Sequence, residues 1–237
     1  MRTMKLTKEF GIIRLQDDTS CPTMDRVITE CALELTVNGS LMGVLLCTPQ
    51  DLEALVYGHL LAEGLIKAKC DVLELSLDGS CAEVRANSRQ AQKIYGPCLA
   101  EVCLDAQELF AAMETFQSQS SLFQATGGVH SAALCQSATE KIFMEDIGRH
   151  NAVDKVLGKA LLEDWDISRT FLITTGRVSV QLITKALHTG LTIIISRSAP
   201  TDQAVELARR HNLTLAGFAR GRRVNIYSGP ERLRTTD

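Results

Sequence analysis

The chain has 237 residues, 45% of them hydrophobic and 22% charged, with a formal net charge of −3. That length holds one large domain or two modest ones, and the apolar fraction supports a real core and excludes a disordered chain. The near balance of 25 basic and 28 acidic residues excludes a protein that coats nucleic acid by charge alone.

Residues 27–37 partly alternate apolar and polar, as in a half-buried strand. Asn38-Gly39 then forms a hairpin turn, because both residues tolerate positive φ. The return strand is 41–47. Thr48-Pro49-Gln50-Asp51 opens a helix, with Thr48 as its cap and Pro49 at the first helical position. The helix stops at Gly64. Two strands follow, 72–77 and 81–86, turned by Asp78-Gly79. Residues 87–103 read as a loop. Asp105 caps a helix that continues toward Phe123.

Beyond it, strands at 129–134, 141–144, 170–174, 191–196 and 213–218 alternate with helices near 151–163, 180–188 and 201–211. A last strand is 224–227. This alternation predicts an α/β layer with a mostly parallel sheet, preceded by a smaller α+β unit. The domains divide at 1–104 and 105–237. The first 115 residues carry a net charge of −7 and the rest +4, which points to an anionic ligand on the C-terminal part.

Eight cysteines stand at 21, 31, 47, 70, 81, 98, 103 and 135. No C-x-x-C occurs, so a paired zinc ribbon is excluded. The N-terminus lacks the apolar core of a signal peptide, and no apolar run is long enough to span a bilayer. The expectation is a cytoplasmic protein whose cysteines mostly pack as small hydrophobes.

In an α/β sheet, ligands bind in the loops that follow the carboxyl ends of strands. Five polar segments qualify. Gly127 and Gly128 precede His130. Glu145, Asp146, Arg149 and His150 crowd one strand-to-helix loop. Arg177 follows a Thr-Thr-Gly turn, and Ser196 with Arg197 stands before Pro200. The last segment is Phe218-Ala219-Arg220-Gly221-Arg222-Arg223, an anion-binding turn with an aromatic ring for stacking. The arginines suit phosphate, and Glu145 or Asp146 suits a guanine edge. His59, His188 and His211 read as surface or packing residues. Neither a Walker A sequence nor G-x-S-x-G appears.

The segments LLCTPQDLEALVYGHLLAEGLI, TGGVHSAAL, EDIGRHNAVDK, SRSAPT and LAGFARGRR resemble the formate dehydrogenase accessory sulfurtransferase family, over about residues 37–233. The resemblance implies a C-terminal domain with a cytidine-deaminase-like α/β/α fold. It implies a carrier that accepts persulfide sulfur from a cysteine desulfurase. The carrier passes this sulfur to the molybdenum or tungsten bis(molybdopterin guanine dinucleotide) cofactor, for formate dehydrogenase. It also implies a homodimer, and that segment 218–223 binds the cofactor. The zinc deaminases of that fold need H-x-E and P-C-x-x-C. Here His130 is followed by Ser131-Ala132 and Pro97-Cys98 lacks the second spacing, so no metal of its own is expected, nor a nucleic-acid or membrane partner.

The family carries a C-G-x-C-G type loop, where this chain has Cys98 and Cys103 with four residues between. Cys98, beside Gly-Pro, suits the persulfide carrier, and Cys103 a supporting thiol. The changed spacing keeps a second reading open: a chaperone that presents the guanine dinucleotide without moving sulfur.

Overall fold

The computed structural model describes residues 5–87 and 102–234. Cys98 lies outside the described residues. The chain begins with a long antiparallel hairpin, β1 (Thr7–Gln16) and β2 (Thr19–Ile28). It forms a sheet of its own and leaves Phe10, Ile13, Leu15 and Met24 exposed. No strand was expected before residue 27, because neither face of this hairpin is cleanly apolar.

β3 (Cys31–Val37) and β4 (Ser40–Cys47) follow, turned at Asn38 (φ 50°) and Gly39 (φ 78°). These positive angles are those of the two-residue turn that the dipeptide predicts. β5 (Val72–Asp78) and β6 (Cys81–Ala86) complete a four-stranded sheet in the order β4-β3-β6-β5. β3 alternates strictly, with Cys31, Leu33, Leu35 and Val37 buried. Between the two pairs runs α1 (Leu52–Ala62), in which eight of eleven residues are buried.

α1 is apolar almost all round because it is covered on two sides. The four-stranded sheet lies on one side of it, and α4 (Arg149–Leu162) on the other. α1 and α4 touch backbone to backbone at Gly58 and Gly158. A Cβ on Gly58 would sit 1.7 Å from the Asp154 carbonyl oxygen, and one on Gly158 would sit 1.9 Å from that of Ala54.

The second sheet has six strands: β8 (His130–Cys135), β9 (Lys141–Asp146), β10 (Phe171–Thr174), β11 (Ile193–Ser196), β12 (Thr214–Arg220) and β13 (Arg223–Ser228). Their order is β13-β12-β11-β10-β8-β9. β10, β11 and β12 are parallel, joined by α5 (Val180–Thr189) and α6 (Asp202–Arg210) as crossovers. β8, β9 and β13 join through antiparallel pairs, so the sheet is mixed rather than mostly parallel. Both faces are covered. Ala132, Leu134, Leu172 and Ile194 turn toward α4, α5 and α6, in one buried core with α1 and β3. Ala133, Ile173, Ile193 and Ile195 turn toward α2 (Ala106–Ser118). Before α2, the two-residue strand β7 (Leu104–Asp105) pairs with β14 (Leu233–Arg234). Among the described residues no helix is long and apolar enough to cross a membrane.

One local expectation fails. Thr48 does not cap α1. Asp51 is the N-cap residue, in a left-handed conformation without a side-chain bond. Thr48 is buried and committed to a distant partner, described below.

The helix contact carries the first prediction. Gly58→Ala forces α1 away from α4 and lowers stability by about 3 kcal/mol, at the upper end of overpacking costs. Chemical denaturation measures it.

Candidate functional site

The strand directions gather the polar loops. β9, β10, β11 and β12 run the same way, so their carboxyl ends open on one edge of the sheet. β8 runs opposite, which brings its first residue, His130, to that edge. All five segments singled out from the sequence therefore start or end there.

The loops are laced to one another. Arg197 N–H donates to Thr174 O (3.0 Å) and Thr175 N–H to Ser131 O (3.0 Å). Ser196 is buried; its hydroxyl donates to Gly176 O (2.7 Å) and accepts from the Ser198 N–H (2.9 Å). Ser196 thus shapes the β10 and β11 loops and turns no atom outward. Gly176 lies flat on the Arg149 side chain, whose Cβ a Gly176 methyl would meet at 2.7 Å. Arg149 is held where that glycine permits.

The edge encloses a cleft of about 650 Å³. Gly127, Gly128, His130, Arg197 and Arg220 line it. Thr175, Ser198 and Ile147 complete the loop side. The opposite wall comes from α2 and from a short helix, α3 (Ser121–Thr126), through Gln117, Ser120 and Phe123. That wall was not anticipated. Its residues read as one amphipathic helix, whereas the chain breaks at Ser120 and turns α3 over the cleft. Arg149, His150 and Arg177 do not line this cleft; Arg177 is exposed beside it.

Several polar atoms here are buried without a protein partner: Arg149 Nε, Arg197 Nε, both ring nitrogens of His150 and the Ser179 hydroxyl. Buried polar atoms are nearly always satisfied; of these residues Arg197 lines the cleft, whereas Arg149, His150 and Ser179 do not. Burial lowers the pKa of His130 and of His150, and the Arg149 guanidinium lowers both further. Both rings are neutral at pH 7. The Thr175 hydroxyl is 3.2 Å from His130 Nδ1 and fixes that ring over the cleft floor.

Phe218 adopts φ 52°, rare for an aromatic residue. The bend aims its N–H at Ser198 O (3.1 Å) and leaves the ring 37% exposed. Ala219 is buried and anchors the strand, while Gly221 (φ 57°) makes the turn between Arg220 and Arg223 possible. Arg220 Nε donates to Arg197 O (3.3 Å) and brings the two guanidinium groups to one rim. Arg222 lies 5.5 Å over the Phe110 ring, and Arg223 is exposed.

The two acids expected to read guanine do something else. Asp146 is fully buried. Its Oδ1 accepts from the Gly148 N–H (2.8 Å) and Asn151 Nδ2 (3.0 Å). Its Oδ2 accepts from the Thr48 N–H (3.0 Å), the Thr48 hydroxyl (3.0 Å) and Lys155 Nζ (2.7 Å). Glu145 accepts from the Ser120 hydroxyl (2.8 Å) and from the N–H groups of Leu122 and Phe123 (3.1 Å each), which caps α3. Neither carboxylate has an oxygen turned to a base. Both are framework residues of the site.

The thiols divide by burial. Cys31, Cys47 and Cys135 are buried, and burial pushes the Cys47 and Cys135 thiols up to about 12. A thiol so rarely ionised is a poor nucleophile. Cys103 is exposed, immediately before β7.

The profile of the FdhD/NarQ family matches residues 28–96 and 86–234. The chain belongs to this family. Among relatives of this FdhD/NarQ member, the sulfur carrier protein FdhD of Bacillus subtilis (strain 168) is 31% identical, over 97% of this chain and 98% of that one. The protein of that name in Listeria innocua is 35% identical over 97% and 100%. A crystal structure described as a formate dehydrogenase accessory protein from Desulfotalea psychrophila superposes with a TM-score of 0.89 at 28% identity. It covers 97% of this chain and 100% of that one.

Two predictions follow from the geometry. Asp146→Asn leaves the Lys155 ammonium buried without a counter-charge and costs about 3–5 kcal/mol in a denaturation experiment. Adding Lys155→Met recovers most of that loss. The second concerns pH. His130 and His150 have folded pKa values below their unfolded ones, so the stability they contribute is full above about 6.5 and falls as pH drops toward the folded values. Histidine ring NMR resonances titrate below 6.5 at both positions, and His130→Gln with His150→Gln flattens this part of the stability profile.

Proposed function

We propose that this FdhD/NarQ member is a sulfur carrier. It takes persulfide sulfur from a cysteine desulfurase and delivers it to a molybdenum or tungsten bis(molybdopterin guanine dinucleotide) bound as cargo, for a formate dehydrogenase. The observation that carries this reading is the cleft at the carboxyl edge of the six-stranded sheet. It is walled by Arg197 and Arg220 and floored by paired glycines and a neutral histidine. An anionic dinucleotide suits it. The guanidinium groups meet pyrophosphate oxygens, as forked donors do best. Gly127 and Gly128 are exposed and lack side chains, so a ligand can approach the backbone closely there, while their N–H groups stay bonded to Phe123 O and the Thr126 hydroxyl. Family membership and the names of the relatives support the carrier role. We read the six-stranded sheet with helices on both faces as the cytidine-deaminase-like layer, and the protein as cytoplasmic and dimeric.

The sulfur steps use Cys98, Cys103 and an external dithiol reductant. The Cys98 thiolate attacks the terminal sulfur of a desulfurase persulfide, which leaves as a thiol. Cys98 then holds the sulfane sulfur as a persulfide. When the Cys103 thiolate attacks Cys98 Sγ, the persulfide S–S bond breaks and sulfide is released toward the cargo. A Cys98–Cys103 disulfide forms, and a dithiol reductant restores it.

The changed cysteine spacing favours a second reading, a chaperone that presents the dinucleotide without moving sulfur. Intact mass after incubation with a cysteine desulfurase and cysteine separates the two. The carrier gains 32 Da per sulfur, about the mass of one sulfur atom, and Cys98→Ala abolishes this while Cys103→Ala leaves the persulfide unresolved. A wild-type chain that gains no sulfur overturns the carrier reading and leaves the chaperone.

A further inference from the structure

β4 breaks the alternation that β3 keeps. Leu45 and Cys47 pack inward with the α1 core, yet the outward positions are apolar too. Leu41, Val44 and Leu46 are 63%, 54% and 52% exposed. A strand that is apolar on both faces is suited to being covered on both. β4 is also an edge strand of its sheet, and an apolar edge left open invites pairing with whatever arrives.

The rest of that outer face is acidic. Register sets Val44 beside Glu34, Glu34 beside Cys81, and Cys81 beside Asp78, in one row across the four strands. The next row runs Leu41, Thr36, Glu83, Ser76. Glu34 and Glu83 are therefore diagonal neighbours, about 7–8 Å apart, and like charges so placed repel. Glu34, Asp78 and Glu83 are exposed, and their carboxylates make no hydrogen bond or ion pair among the described residues. Arg85, the cation on the same face, is taken by Glu74 (3.2 Å). A cleft of about 400 Å³ opens among these side chains.

An apolar margin beside an unneutralised acidic centre selects its occupant. A second copy seated symmetrically on this face would set Glu34 and Glu83 against their own copies, and facing like charges oppose that. A segment with apolar side chains and lysines or arginines answers both zones. Among the described residues, none of β3 to β6 lines the cargo cleft. β6, which crosses the acidic centre, leads in the sequence into the segment that carries Cys98. Resting on the proposed carrier role, we infer that the outer face of the four-stranded sheet is the docking surface for the persulfide donor, which meets it with a basic, amphipathic segment. Leu41, Val44 and Leu46 receive its apolar side, and Glu34, Asp78 and Glu83 its cations. Donor and cargo then occupy separate faces of the protein.

Calorimetric titration of the full chain with a cysteine desulfurase of the same organism tests this, with sulfur loading followed by intact mass. Binding weakens steeply as salt rises, as screening of an exposed charged contact requires. Glu34→Lys with Glu83→Lys weakens it about tenfold and slows loading to match. Glu53→Lys with Glu140→Lys changes the net charge equally, away from this face, and leaves both within about twofold. Val44→Ser with Leu46→Ser weakens binding by about tenfold or more through lost apolar burial. Alkylation of Cys81, exposed within the face, slows in the complex. GDP binding is unchanged in every variant. All the substituted side chains are exposed, and an unchanged thermal midpoint verifies the fold. Desulfurase binding unaffected by both face variants, or undiminished alkylation of Cys81, overturns the docking surface and leaves the carrier role standing. So does a change of oligomeric state in Val44→Ser with Leu46→Ser when desulfurase binding is intact, since the face is then an interface between copies. A wild type that docks the desulfurase through this face yet gains no sulfur overturns the carrier role alone.

Discussion

A carboxylate and an ammonium, both withdrawn from water, meet where β4 runs into α1 and β9 runs into α4. Asp146 and Lys155 are fully buried, 2.7 Å apart, and share the Thr48 hydroxyl, which Lys155 Nζ reaches at 2.6 Å. Desolvating two ions is costly, and the pair persists because every remaining oxygen of Asp146 also has a donor. Through Thr48, which donates to Asp146 and accepts from Lys155, the pair ties the acidic N-terminal unit to the basic C-terminal one. Asn151 adds a second tie, from its side chain to Leu46 O (2.7 Å). The start of α4, where Arg149 and His150 stand, therefore has one position relative to the four-stranded sheet. A less directional apolar contact would leave that helix end free to shift.

Everything at the site edge inherits this placement. Gly58 and Gly158 let α1 and α4 close to backbone contact, and a second buried group sits at the same crossing. Asp154 is paired with Lys185 on α5 (2.7 and 2.8 Å) and with His59 on α1 (3.2 Å), and these partners hold its carboxyl below the usual range despite full burial. Arg149 rests against Gly176, Gly176 accepts from Ser196, and Arg220 reaches Arg197 O. Arg149, Arg197 and Arg220 are thus held in place by the protein's own contacts, and for the dinucleotide binding proposed above such positioning limits the entropy lost.

Much of the fold was legible from local pattern. Asn38-Gly39, Gly64 and Asp105 act as turn, stop and cap, and strict alternation marks β3. The six later strands fall within a few residues of their expected places. Misreadings share one cause, a long-range partner that outcompetes a local rule. Thr48 has the sequence context of a helix cap, yet its hydroxyl meets a buried ion pair from a segment almost a hundred residues away. Asp146 and Glu145 look like ligand-reading acids because their loop is polar. The loop is polar because it ties three elements together. The α2 and α3 wall of the cleft was hidden because α2 is also amphipathic, with Leu109, Ala112, Met113 and Phe116 turned inward. An exposed face of a helix carries no signal of what lies opposite it.

The sequence by itself determined the element types, the five polar segments and the family motifs, since these depend on neighbours in the chain: turn chemistry, periodicity and residue spacing. Tertiary structure alone decided which segments share an edge. Strand direction did that, by setting β8 against β10 and bringing His130 to the carboxyl ends of its neighbours. It also decided which charges remain available to a ligand. Whether a carboxylate is framework or acceptor depends on burial and on partners folded in from afar, and neither is encoded within reach of the residue itself.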